Sequence, residues 1–115
     1  MLDFQAIQKE LLEILYPLGA DTDPRFLAFA SRGFAGDELA FVDHVRRHAP
    51  GWFMTMRERP DWLQEPAWPL RDGAPMVFVG QLERLPAETG LHDSARYFVF
   101  WDPASGVTDT ILQVE

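Results

Sequence analysis

Two segments, Met76 to Leu82 and Tyr97 to Trp101, carry apolar residues on both sides of a two-residue alternation. In the first, Met76, Phe78, Gly80 and Leu82 fall on one side, and Val77 and Val79 open the other ahead of Gln81 and Glu83. In the second, Tyr97, Val99 and Trp101 oppose Phe98 and Phe100. A period of two marks a β-strand, and an antiparallel sheet with one wet face shows polar residues on that face. These strands are apolar on both. Such a sheet needs two covers: helices on one face and, on the other, a loop of the same chain, a second subunit or a partner.

The first half of the chain supplies the helices. Phe4, Ile7, Leu11, Ile14 and Leu15 repeat at the helical period, Asp3 stands where a cap belongs, and Pro17 predicts a stop near Tyr16. Asp23-Pro24 is a second start, an N-cap carboxylate followed by proline at the first helical position, and Gly33 ends that segment. A third helix begins near Asp37, carries Leu39, Phe41, Val42 and Val45, and is expected to end at Ala49-Pro50-Gly51. Next comes a stretch with Trp52, Trp62 and Trp68 among Pro60, Pro66 and Pro69. Trp52 to Met56 has strand character, and the rest holds too much proline to pair regularly, so it reads as an ordered loop that packs its indoles on the core. Strands are predicted at Met76 to Glu83, Ala95 to Trp101 and Val107 to Val114, the last two joined by the turn Asp102-Pro103-Ala104-Ser105-Gly106. The expected fold is α+β in one domain over 1–115. It has about three N-terminal helices (1–50), a Trp/Pro-rich loop (51–75), and an antiparallel sheet of three to four strands (76–115) ending in a hairpin.

A chain of 115 residues has room for one core, and 47% apolar with 24% charged residues is a globular balance. The net charge is −8, and of ten basic residues only Lys9 is a lysine. A phosphate-backbone partner needs a basic surface, so nucleic acid is not expected. No apolar run reaches the roughly 20 residues of a membrane span, and the start Met1-Leu2-Asp3-Phe4-Gln5 lacks a secretory pattern. Without cysteine there is no disulfide or thiolate site. A cytoplasmic location is the expectation.

Chemistry-bearing patterns are sparse. His44 and His48 stand four residues apart on the third helix beside Asp43, a spacing that metal sites use. The residue after His44 is Val45 where the zinc-protease pattern needs glutamate, and Arg46-Arg47 makes this a natural cationic helix end. No metal and no cofactor is expected. Ser31, Ser94 and Ser105 read as cap or turn residues rather than nucleophiles, and Gly33 and Gly36 flank an interhelical turn. Asp21 and Asp23 sit beside a helix start, where capping accounts for them. Trp62 and Trp68 are the residues that could stack on a flat ligand, against the simpler reading of bulk for a small core.

The stretch Pro66-Ala67-Trp68-Pro69-Leu70-Arg71-Asp72-Gly73-Ala74-Pro75-Met76-Val77-Phe78-Val79-Gly80-Gln81-Leu82 resembles the YwqG-like family of bacterial proteins. That family has a tryptophan-proline pair, a glycine-x-proline and an apolar strand closed by glutamine. The resemblance spans about Pro60 to Trp101. It departs at Arg57-Glu58-Arg59-Pro60-Asp61-Trp62, where the family has a glycine- and proline-rich approach, and at the three preceding helices. It implies a bacterial source and a mainly antiparallel sheet, and it brings no reaction with it. Within it Gln81 is the polar residue to watch, as a hydrogen-bonding partner for the loop backbone.

The leading reading is a non-enzymatic interaction protein of immunity or antitoxin type, which binds and neutralises a toxin. Its acidic contacts would come from Asp21, Asp23, Asp37, Glu38, Glu88 and Asp93. The alternatives are a small-molecule binding module built on Trp62 and Trp68, and an enzyme whose site around Asp43, His44 and His48 assembles only on folding. Oligomeric state is left open.

Overall fold

The computed structural model describes residues 2–84 and 94–114. Asp3 accepts from the Ala6 amide at 3.3 Å and opens a 3-10 turn, Gln5–Ile7, which runs into helix α1, Gln8–Leu15. The α-helix ends at Leu15 with Tyr16 as its cap, where Pro17 predicts the stop. Pro17 itself sits in a second 3-10 turn, Tyr16–Leu18, where its missing N–H is not needed. Helix α2, Pro24–Ala30, starts at the predicted cap, with Asp23 accepting from the Arg25 amide at 2.8 Å. Helix α3, Glu38–Trp52, starts at Asp37, which accepts from the Ala40 amide at 2.9 Å.

The end of α3 departs from expectation. The helix runs through Pro50 to Trp52, and the Phe53 amide still reaches the Ala49 carbonyl at 2.9 Å. The strand expected over Trp52 to Met56 is correspondingly reduced to one parallel bridge, Thr55 to Phe78. Tertiary packing outweighs the proline here: the Trp52 indole meets Phe26 and Phe29 edge-on at 5.8 Å each.

Within the Trp/Pro-rich segment lies a small hairpin, β1 Leu70–Arg71 with β2 Ala74–Pro75. Asp72 at φ 53° and Gly73 at φ 84° make its turn, with left-handed conformations at both central positions. Gly73 is also a contact: a Cβ there would stand 2.9 Å from the Arg25 carbonyl oxygen, so only glycine lets the turn tip rest on α2.

The main sheet has the order β3-β4-β5, all antiparallel, from Val77–Arg84, Ala95–Trp101 and Thr108–Val114. Its hairpin closes as read, with Gly106 at φ 78° donating to the Asp102 carbonyl. The register carries an unforeseen shift. Phe78 pairs with Phe100, and the next pair is Gly80 with Val99, which leaves Val79 as an extra residue in β3. One extra residue turns every later side chain over. Leu82, expected beside Phe78, instead pairs with Tyr97 on the outer face, and Gln81 pairs with Phe98 on the inner one.

The inner face is the core. Phe78, Phe98 and Phe100 are fully buried and belong to one continuous apolar cluster with Leu11, Leu15, Phe26, Phe41, Val45 and Phe53. Helices and loop cover this same face, one behind the other. The loop thus covers the same face as the helices and not the opposite one, and on the outer face Leu82, Trp101 and Leu112 stay exposed while Ala95 is buried.

Candidate functional site

The Trp/Pro-rich segment is fastened to the inner face by polar groups placed among the aromatics. Trp62 lies on Phe98 with ring centres 4.4 Å apart, stacks on Phe100 at 6.0 Å, and donates its indole N–H to the Gly19 carbonyl at 2.7 Å. Trp68 is buried, meets Phe53 and Phe100 edge-on at 5.1 and 5.2 Å, and donates to the Met76 carbonyl at 2.8 Å. The two stacking candidates thus have their rings against protein and their N–H groups satisfied.

Two glutamines hold the backbone between them. The Gln81 side-chain oxygen accepts from the Asp61 amide at 2.8 Å, the loop-fastening role its position suggested. Gln113 is buried: its oxygen accepts from the Leu63 and Gln64 amides at 2.8 and 2.9 Å, and its NH2 donates to the Glu65 carbonyl at 2.9 Å. Arg96 adds a charged clasp, donating to the Asp61 carbonyl at 2.6 Å, to its carboxylate at 2.9 Å and to Glu83 at 3.0 Å. Neither Gln113 nor Arg96 was singled out in the sequence. Their signal was parity: each lies an even number of residues from an inward partner, Ile111 or Phe98.

The outer face is different. Its rows are Val77–Trp101–Thr108, Gly80–Val99–Thr110, Leu82–Tyr97–Leu112 and Arg84–Ala95–Val114, with Ala95 buried at the far end. Leu82 is 52% exposed, Leu112 50% and Trp101 37%. This is a contiguous apolar surface with threonine along one side.

The described acidic candidates fall into two places. Asp21 accepts from the Thr22 amide at 2.7 Å, and Asp23 caps α2 while pairing with the Arg25 guanidinium at 2.9 Å. The hydrogen bond from Arg25 holds the Asp23 carboxyl below its ordinary pKa. Both aspartates line a groove of about 530 Å³ that Asp109 and Ile111 of β5 also line. Asp37 and Glu38 stand apart, at the start of α3. Glu88 and Asp93 lie outside the described residues. On α3, Asp43 pairs with Arg46 at 2.8 Å, His44 packs on Phe34 at 4.9 Å, and His48 stacks on Trp52 at 5.6 Å. Among the described residues no group of three histidine or carboxylate side chains is placed to hold a metal ion, and no helix is long and apolar enough to cross a membrane.

In comparisons with known proteins no family model matches the chain, and no curated protein or solved structure does.

Proposed function

We propose that this chain is an interaction domain of immunity or antitoxin type, which seats the outer face of its sheet on a basic partner protein and thereby neutralises it. The observation that carries this reading is the apolar outer face, where Leu82, Trp101 and Leu112 stay exposed beside Tyr97 and Val99. Contiguous exposed apolar surface of this kind marks a binding site in a folded protein. Aromatic anchors such as Trp101 and Tyr97 carry most of the energy in such contacts. The net charge of −8 draws a basic surface toward the chain and speeds encounter, more so at low salt.

The test is co-expression with the protein encoded beside it, reading host survival and recovery of a stable complex. The parent is expected to protect and to co-purify. Leu82→Lys with Leu112→Lys places two cations on the face and is expected to lose both while the fold stays intact. Protection that survives this double change overturns the assignment of the face. Survival without any complex points instead to an enzymatic antidote.

A further inference from the structure

The sheet has two edge strands: β3 is bridged at Phe78 by the 54–56 segment, and β5 is the edge that borders a groove. Strand β5 pairs with β4 on one side, and among the described residues no strand lies on its other side. The direction of its unpaired groups follows from one bond. The Val114 carbonyl accepts from the Gln64 side chain at 2.8 Å and so points away from β4. Backbone groups alternate along an antiparallel strand, so those of Thr108, Thr110 and Leu112 point the same way. Gln64 closes the Val114 end and leaves Thr108 to Leu112 open. Beside that open stretch lies the groove, lined by Asp109 and Ile111 of β5 and by the Pro66–Leu70 and Ala20–Phe26 segments. Its floor is apolar, from Phe26, Phe53 and Trp68, and its charged groups are Asp21, Asp23 and Asp109 against the single cation Arg25.

We propose that the free edge of β5 binds an extended peptide segment and that the adjoining groove takes a cationic side chain of that segment, an arginine or a lysine. An added strand is held by main-chain hydrogen bonds along the edge, while every second side chain points to the inner side, toward the groove. A long alkyl or guanidinium-bearing side chain lays its apolar stem on the aromatic floor and brings its charge to Asp109 and Asp21. Asp23 already holds Arg25, so among the described groove residues Asp109 and Asp21 are the carboxylates left to meet an incoming cation. The proposal rests on the interaction reading above and adds the partner's chemistry. It can fail separately, because the edge is probed on β5 and the outer face at Leu82 of β3.

The probe is a blocked heptapeptide alternating valine and threonine around a central arginine, with a glutamine-centred counterpart, titrated into isotope-labelled full chain. The amides of Thr108, Thr110 and Leu112 are expected to shift and to exchange more slowly with solvent. The arginine peptide is expected to bind roughly five-fold more tightly than the glutamine one, the scale of a hydrogen-bonded charge contact at a partly open site. Asp109→Asn is expected to cut that preference to about two-fold, and Arg25→Ala to widen it by freeing Asp23. Leu82→Lys alone changes the outer face from β3, so edge binding that persists there separates the two sites. Shifts confined to Val99, Trp101 and Leu82, equal binding of both peptides, or no shift at all would each overturn the proposal.

Discussion

The two faces of the β3-β4-β5 sheet start from almost the same apolar alternation and end in opposite conditions. On the inner side Phe78, Phe98 and Phe100 are wholly buried, and on the outer side Leu82 and Leu112 keep about half their surface in solvent. Hydrophobicity does not separate them. What separates them is polar fastening, since Gln81, Arg96 and Gln113 occur on the inner side and hold the tryptophan-bearing segment there. A small domain secures a cover by satisfying the cover's backbone, and the face without such groups stays available.

The comparison breaks first at Trp68. Trp68→Ala empties a site between sheet and helices and is expected to cost about 3–5 kcal/mol in denaturant unfolding. A variant that unfolds with the parent would mean that the indole carries none of the inner packing. Gln113→Ala sharpens the role of fastening. It strips the acceptor from two loop amides, an expected loss of about 1–3 kcal/mol. Hydrogen exchange at Leu63 and Gln64 should quicken before global unfolding does.

Asp23→Ala removes the α2 cap, at an expected cost of about 1 kcal/mol. Because folding lowers the Asp23 pKa, its contribution is fully present above the ordinary carboxylate value and is lost as pH falls through the lowered one. Below about pH 4 the gap between parent and variant should therefore close. The smallest effect belongs to the outer face. Leu82→Lys with Leu112→Lys is expected to move stability by no more than about 0.5 kcal/mol per site. A larger loss would show that these side chains are already packed.

Local rules made much of the fold legible. Asp23-Pro24 and Asp37 cap the helices where their side chains can accept, and Ala95–Trp101 is a strand to the residue. Two features had a readable cue that competing signals hid. Gly80 inside a strand pattern is the ordinary mark of a bulge, and Asp72-Gly73 is a hairpin pair, though the surrounding prolines argued for irregular loop. Pro50 misleads because its penalty is local and the gain from docking Trp52 is not. Of the site, Asp21 and Asp23 were named for their position beside a helix start, and the groove joins them to Asp109 from a strand far along the chain. No spacing in the sequence encodes that meeting.

Gln113 also sets a schedule. The Leu63 amide finds its acceptor fifty residues further along the chain. During synthesis the helices and the Trp/Pro-rich stretch emerge before β5, and they wait for it before their connecting backbone has anywhere to rest. Until β5 arrives, the same tryptophans that later seal the core are free to stick to whatever lies nearby. Strand β5 is thus the clasp that ends this exposed interval, and its emergence is the step that the rest of the inner packing awaits.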